Sequence, residues 1–286
     1  MRRLAAAMSA AAGEGDMRGF RFAAAGSDSA VFQRLASGLS AAAGLRYDPA
    51  GGEMLLRVRR YGRATAPAEA DSAAGWEVLV RLTDRPLSAR SWRVCNRPGG
   101  VNATVAVAMN RLVRSEPGAA YLNLMCGSGT LLVERAISGP ARRIVGIDNE
   151  PDALDCARAN LAAAGVEGCE LVLADVASLV DTLPSGAGQA ATVGSDSGAR
   201  GLYDELTADP PWGDAVGEHA ANEQLHVALL AGAATLAAPG AHFALLSHEV
   251  RLLERLLPRQ GAWRVESSRR LSHGGHRPAL LLLRRV

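Results

Sequence analysis

Asn123-Leu-Met-Cys-Gly-Ser-Gly-Thr130 is the stretch on which the fold turns. Tyr121–Met125 is apolar and short enough for a buried strand. Gly127 and Gly129 then let the backbone turn tightly and approach a ligand closely before the helical pattern of Thr130–Ala136 begins. Arg143–Ile147 forms a second strand, with Asp148 at its end about 20 residues after the glycine turn. Pro151 at a first helical position and Gly165 just past the end bracket a helix over Pro151–Ala163. Further strands are expected over Glu170–Leu173, Tyr203–Ala208 and His242–Leu246, with helices over Asn222–Ala237 and Glu249–Leu257. Trp263–Leu271 and Ala279–Arg284 read as a closing antiparallel pair. Regular alternation of strand and helix predicts an α/β, Rossmann-like domain over residues 116–286, a mostly parallel seven-stranded sheet covered on both faces.

In front of it, residues 1–17 are expected to be a disordered Ala/Gly leader, and residues 18–92 a small α+β domain. That domain has strands at Phe20–Phe22, Met54–Arg60 and Trp76–Leu82 and a helix over Ser29–Ala42 with Val31, Leu35 and Leu39 on one face. Residues 93–115 are expected to be a linker and a bridging helix, entered through the turn Arg97-Pro-Gly-Gly100. Pro184–Gly201, rich in Gly, Ser and Ala, reads as a flexible insertion.

The chemistry concentrates at Asp209-Pro-Pro-Trp-Gly213, directly after the strand ending at Ala208. An exocyclic amine on a nucleobase is a poor nucleophile because its lone pair is delocalised into the ring. If the Asp209 carboxylate and the Pro210 carbonyl accept its two N–H bonds, that lone pair is steered outward. Two prolines hold these acceptors in place, so little ordering is left to do. Trp212 offers a flat face for an extruded base. A dinucleotide-binding loop would place a third glycine at position 132, which is Leu.

Glycine turn, acidic strand end and Asp-Pro-Pro-aromatic, in that order, resemble the amino-methyltransferases that use S-adenosylmethionine (SAM). Leu124–Thr130 is similar to the SAM loop of the THUMP-linked RNA methylase family, the tRNA guanine-N2 methyltransferases, and Phe20–Trp92 resembles part of a THUMP module. The resemblance implies a class I SAM-dependent methyltransferase fold and SAM as cofactor. Its binding is expected from Asn123, Met125, Cys126, Gly127, Gly129 and Thr130, from Asp148 and Asn149 at the ribose, and from Asp175 and Val176 at the adenine. Asp209, Pro210 and Trp212 are the expected catalytic residues, and RNA, most naturally tRNA, the expected partner. The family begins the loop with Asp-Pro where this chain has Asn123-Leu124. Asn can still hydrogen-bond an ammonium, but losing the charge costs on the order of 1–2 kcal/mol. A non-catalytic RNA-binding protein on the same fold, and a DNA amino-methyltransferase, remain open alternatives.

Composition bounds the rest. All 31 cationic residues are Arg. Residues 1–115 carry a net charge of +8 and residues 116–286 one of −6, which suggests an anionic partner at the front. Cys95, Cys126, Cys156 and Cys169 show neither C-x-x-C nor metal-ligand spacing, so free thiols in a reduced, cytoplasmic setting are expected, with no metal. No stretch approaches the ~18 apolar residues of a membrane span.

Overall fold

The chain divides into two units, Met1–Ala89 and Arg90–Val286. The structure, a computed structural model, describes residues 2–15, 17–61, 75–81, 83, 85–114, 116–179, 203–211, 219–272 and 277–286. The expected insertion at Pro184–Gly201 lies outside the described residues.

In the first unit, α1 (Arg2–Gly15) stands where a disordered leader was expected. Alanine is the best helix former, and Ala5, Met8 and Ala11 make a narrow buried stripe that simple hydropathy understates. Ser9 also donates its hydroxyl to the Ala43 carbonyl at 3.0 Å. Strands β1 (Gly19–Phe22), β2 (Arg46–Tyr47), β3 (Met54–Tyr61) and β4 (Gly75–Arg81) form a sheet in the order β2-β1-β3-β4. Helix α2 (Ala30–Ala43) is capped by Ser29 and stopped by Gly44 in the left-handed region at φ 70°. Its core face is Phe32, Leu35, Ala36 and Leu39, whereas Val31 is 64% exposed. Leu35 and Leu39 lie on the core face as expected, and Phe32 takes the place expected of Val31, because it packs on Phe22 with ring centroids 5.0 Å apart.

The second unit begins with α3 (Ala103–Leu112), then β5 (Ala120–Leu124), α4 (Thr130–Ser138), β6 (Arg143–Asp148), α5 (Pro151–Ala163) and β7 (Cys169–Leu173). After these come β8 (Tyr203–Ala208), α6 (His219–Leu236), β9 (Ala237–Ser247), α7 (Val250–Gln260), β10 (Trp263–Arg270) and β11 (Ala279–Arg285). The seven strands order as β10-β11-β9-β8-β5-β6-β7, parallel from β9 to β7, with β11 antiparallel to both β9 and β10. Every residue of β5 is buried, as a strand covered by helices on both faces must be. The segment expected to be a linker belongs to this unit instead. Trp92, Val101, Ala106 and Met109 share an apolar cluster with Leu131, Leu132 and Val133 of α4.

One buried ion pair ties the base of the sheet. Arg135 and Glu205 are 0% and 2% exposed, with Arg135 Nε donating to Glu205 Oε2 at 2.8 Å. Arg135 also donates to the carbonyls of Gly139 and Glu116, and Glu205 Oε1 accepts from the Glu116 amide at 2.6 Å. Such a pair is costly to break because its survivor is left charged and desolvated. Glu205→Ala is expected to destabilise the protein by about 3–5 kcal/mol in denaturant unfolding. A loss under ~1 kcal/mol would mean that Arg135 finds another counter-charge.

Candidate active site

Strand topology alone brings the three informative segments together. Leu124 of β5 pairs with Ala208 of β8 on one side and with Ile147 of β6 on the other. The glycine loop, Asp209 and Asp148 therefore all leave the sheet at the same end. Chain order reverses between β5 and β8, which is where an open α/β sheet leaves a crevice. A cavity of about 380 Å³ opens there, lined by Met125, Cys126, Gly127, Asp148 and Asp209 among others.

Backbone geometry explains the loop's composition. Gly127 and Gly129 adopt φ 52° and 76°, and Met125 joins them at φ 56°. A side chain at Gly129 would stand 2.9 Å from the Ala157 Cβ, so glycine also lets α5 approach. Gly127 donates its amide to Asp148 Oδ2 at 2.8 Å, and the Glu150 amide donates to Oδ1 at 3.0 Å. Asp148 is thus locked between the loop and the start of α5, and each of its oxygens keeps a lone pair for a ligand.

Of the expected cofactor residues, Met125, Cys126, Gly127, Thr130, Asp148 and Asn149 line the cavity. Gly129 is not among the lining residues and stands at the N-terminus of α4. Asn123 is fully buried beneath the loop, its Nδ2 donating to the Thr207 carbonyl at 3.2 Å and its Oδ1 left without a partner. Asp175 and Val176 are not among the lining residues; Asp175 caps the short 3-10 turn Val176–Ser178, accepting from the Ala177 amide. Asp209 and Pro211 line the cavity, Pro210 is buried, and Trp212 lies outside the described residues. Burial pushes the Asp209 carboxyl up to about 7, and no charged partner faces it among the described residues.

The second wall, Arg97–Val101, comes from the segment read as a linker. Asn160 of α5, fully buried, holds that strap. Its Oδ1 accepts from the amides of Val94 and Cys95, and its Nδ2 donates to the carbonyls of Cys95 and Ser128, all at 2.9 Å. Arg93 adds bonds to the Val101 carbonyl and Thr130 Oγ1, and Arg97 pairs with Glu150. Cys95 and Cys156, 61 residues apart, form a disulfide, correcting the expectation of four free thiols; Cys126 and Cys169 are free. Cys156 sits one helical turn before Asn160, so the contact that seats Cys95 also brings the two sulfurs together. The turn Arg97-Pro-Gly-Gly100 was visible as a motif, but nothing in its residue types tells that it folds over the glycine loop.

Comparison with known proteins agrees with this geometry. The chain is 30% identical over 208 residues to a tRNA (guanine(6)-N2)-methyltransferase of Thermus thermophilus, covering 72% of this chain and 56% of that protein. It is 36% identical over 100 residues to the U6 snRNA (guanine-N(2))-methyltransferase THUMPD2 of Bos taurus, covering 35% of this chain and 19% of that one. The chain thus spans about half, or less, of the length of these relatives. Its fold is similar to the crystal structure of TrmN from Thermus thermophilus, with a TM-score of 0.69 at 24% identity, covering 99% of this chain and 78% of that one. Residues 90–279 match the family model described as "RMKL-like, methyltransferase domain". With the class I methyltransferase sheet, the glycine loop and Asp209-Pro-Pro at one cavity, the chain belongs to this UPF0020 family of SAM-dependent methyltransferases.

Proposed function

We propose that the protein methylates the exocyclic N2 amine of a guanosine in tRNA, with SAM as methyl donor. The observation that carries this reading is the placement of the half-buried Asp209 carboxylate in the same cavity as Gly127 and Asp148. The relatives' names supply the guanine and the RNA. The residues present fit the cofactor. Asp148 keeps acceptor capacity for two ribose hydroxyls, and the amides around Gly127 lie at the cavity wall. SAM, when bound, supplies an electrophilic methyl group on its sulfonium.

This chain's residues do the remaining work. Asp209 and the Pro210 carbonyl accept the amine's two N–H bonds and so aim its lone pair into the cavity. Asp209 then receives the proton that the methylated amine must lose, a task suited to a carboxyl whose pKa stands near 7. Trp212 stacks on the extruded base. The basic first unit, with exposed Arg57, Arg59 and Arg60 on β3, holds RNA phosphates. RNA of this kind places the protein in the cytoplasm, where reducing conditions act on the Cys95–Cys156 bond and leave the strap to Asn160 and Arg93. No helix among the described residues is long and apolar enough to cross a membrane.

Asp209→Asn is expected to lower the methyl-transfer rate on unmodified tRNA by about 10²-fold or more, with SAM affinity kept within a few-fold by calorimetry. Transfer near the wild-type rate would remove Asp209 from the reaction.

The pH profile tests the same group. Its carboxylate is the accepting form, and its folded-state pKa is raised from 3.8 to about 7. Plotted against pH, kcat/KM should rise about tenfold per unit below 7 and flatten above it. A profile flat from pH 5 to 8, or an inflection that persists in Asp209→Asn, would assign the titration elsewhere.

Asn160→Ala leaves the Val94 and Cys95 amides unpaired and loosens the strap. SAM affinity should fall about tenfold, which corresponds to ~1.4 kcal/mol. Unchanged affinity in a folded variant would detach the strap from cofactor binding.

A further inference from the structure

The −6 charge of residues 116–286 conceals two opposite regions. Residues 116–249 hold five Arg against eighteen Asp plus Glu, whereas residues 250–286 hold nine Arg against two Glu. A net +7 within 37 residues, on a unit that is otherwise acidic, is a local feature with a definite place in the fold.

That place follows from strand directions. β9 is parallel to β8, β11 is antiparallel to β9, and β10 is antiparallel to β11. β10 therefore runs in the same direction as β8, and Arg269 and Arg270 at its C-terminal end stand at the end of the sheet from which Asp209 emerges. Arg277, just before β11, stands there too, with Arg270 Nη1 donating to its carbonyl at 3.1 Å. Arg251, in the first turn of α7, is at the same end, because α7 follows the C-terminus of β9. All four side chains are exposed. No carboxylate pairs with any of them among the described residues. At the opposite end Arg284 faces Glu266 at 3.8 Å, so charge there is partly neutralised.

Edge protection accounts for part of this, since β10 is an edge strand and charges on an edge discourage strand pairing. It does not account for Arg251 on a helix, nor for the gathering at the site end of guanidiniums that have no carboxylate partner among the described residues. Strand order puts β10 three strands from β8, or about 14 Å at ~4.8 Å per strand. An RNA whose base enters the cavity must carry its neighbouring phosphates across this distance.

We propose that Arg251, Arg269, Arg270 and Arg277 form a second RNA-docking surface, on the catalytic unit itself, which grips the phosphodiester backbone beside the target nucleotide. The proposal rests on the RNA reading above and adds where the strand lies. Guanidiniums suit phosphate because their planar fork donates two parallel hydrogen bonds. Each phosphate contact releases a condensed counterion, so the surface leaves a signature in the salt dependence of binding.

The test uses the full chain and unmodified tRNA transcripts, with affinity measured by fluorescence anisotropy across a series of salt concentrations. The variant R269Q/R270Q/R277Q should flatten the slope of log affinity against log salt by about 2–3, with SAM affinity by calorimetry unchanged as the check on folding. The single variant R277E should weaken tRNA binding at least tenfold, and R264Q/R284Q, at the far end, should leave the slope alone. A wild-type slope in the triple variant, with tRNA still bound, would overturn the surface and leave the methyltransferase reading standing. Failure of the wild type to bind tRNA at all, with SAM present, would overturn both. Retained tRNA slope with loss of affinity for an acidic polypeptide would assign the arginines to a protein partner instead.

Discussion

Everything at the site depends on the parallel pairing of β6, β5 and β8. Three strands in register end together, so the loops that follow them must share one edge of the sheet. β5 is fully buried and can be nothing but a central strand. The reversal of chain order beside it opens the crevice between the glycine loop and Asp209 without help from any side chain. Side chains then decide what the crevice binds.

Burial is used in two opposed ways across this unit. At the base of β8, Glu205 is desolvated but matched with Arg135 and a backbone amide, so the cost of burying charge is offset and the ion pair stays structural. Just past the top of the same strand Asp209 is desolvated with no counter-charge among the described residues, and its proton affinity rises accordingly. Three residues separate a carboxylate that holds the fold from one whose proton affinity is raised. Paired charges favour stability and unpaired ones reactivity.

The cavity wall opposite the glycine loop depends on one amide side chain. Asn160 meets four backbone groups of two segments, the strap and the loop, and so sets their spacing by direct bonds from a single residue. A carboxylate there could not donate to the Cys95 and Ser128 carbonyls, and an aliphatic residue could make none of the bonds. The Cys95–Cys156 bond joins the same strap to the same helix one turn away.

The sequence by itself determined the alternation of strands and helices, the glycine loop, the acidic strand end and Asp209-Pro-Pro. These are local signals: periodicity, positive-φ turns and capping leave their mark on neighbouring residues. The α5 boundaries and the β8 strand were legible for that reason. Tertiary structure decided what depends on distant partners. Helix α1 forms because an Ala/Met stripe finds a core, a fact no composition rule carries. Val31 turned outward because Phe32 had Phe22 to meet. Asn123 went beneath the loop and Asp175 into a cap, since a residue type fixes what bonds are possible and only the packing fixes which are made. The strap, the disulfide and the basic end of the sheet join residues that are far apart in sequence or set by strand direction. Such contacts are chosen by the fold as a whole, where the gain from burying the core outweighs every local preference.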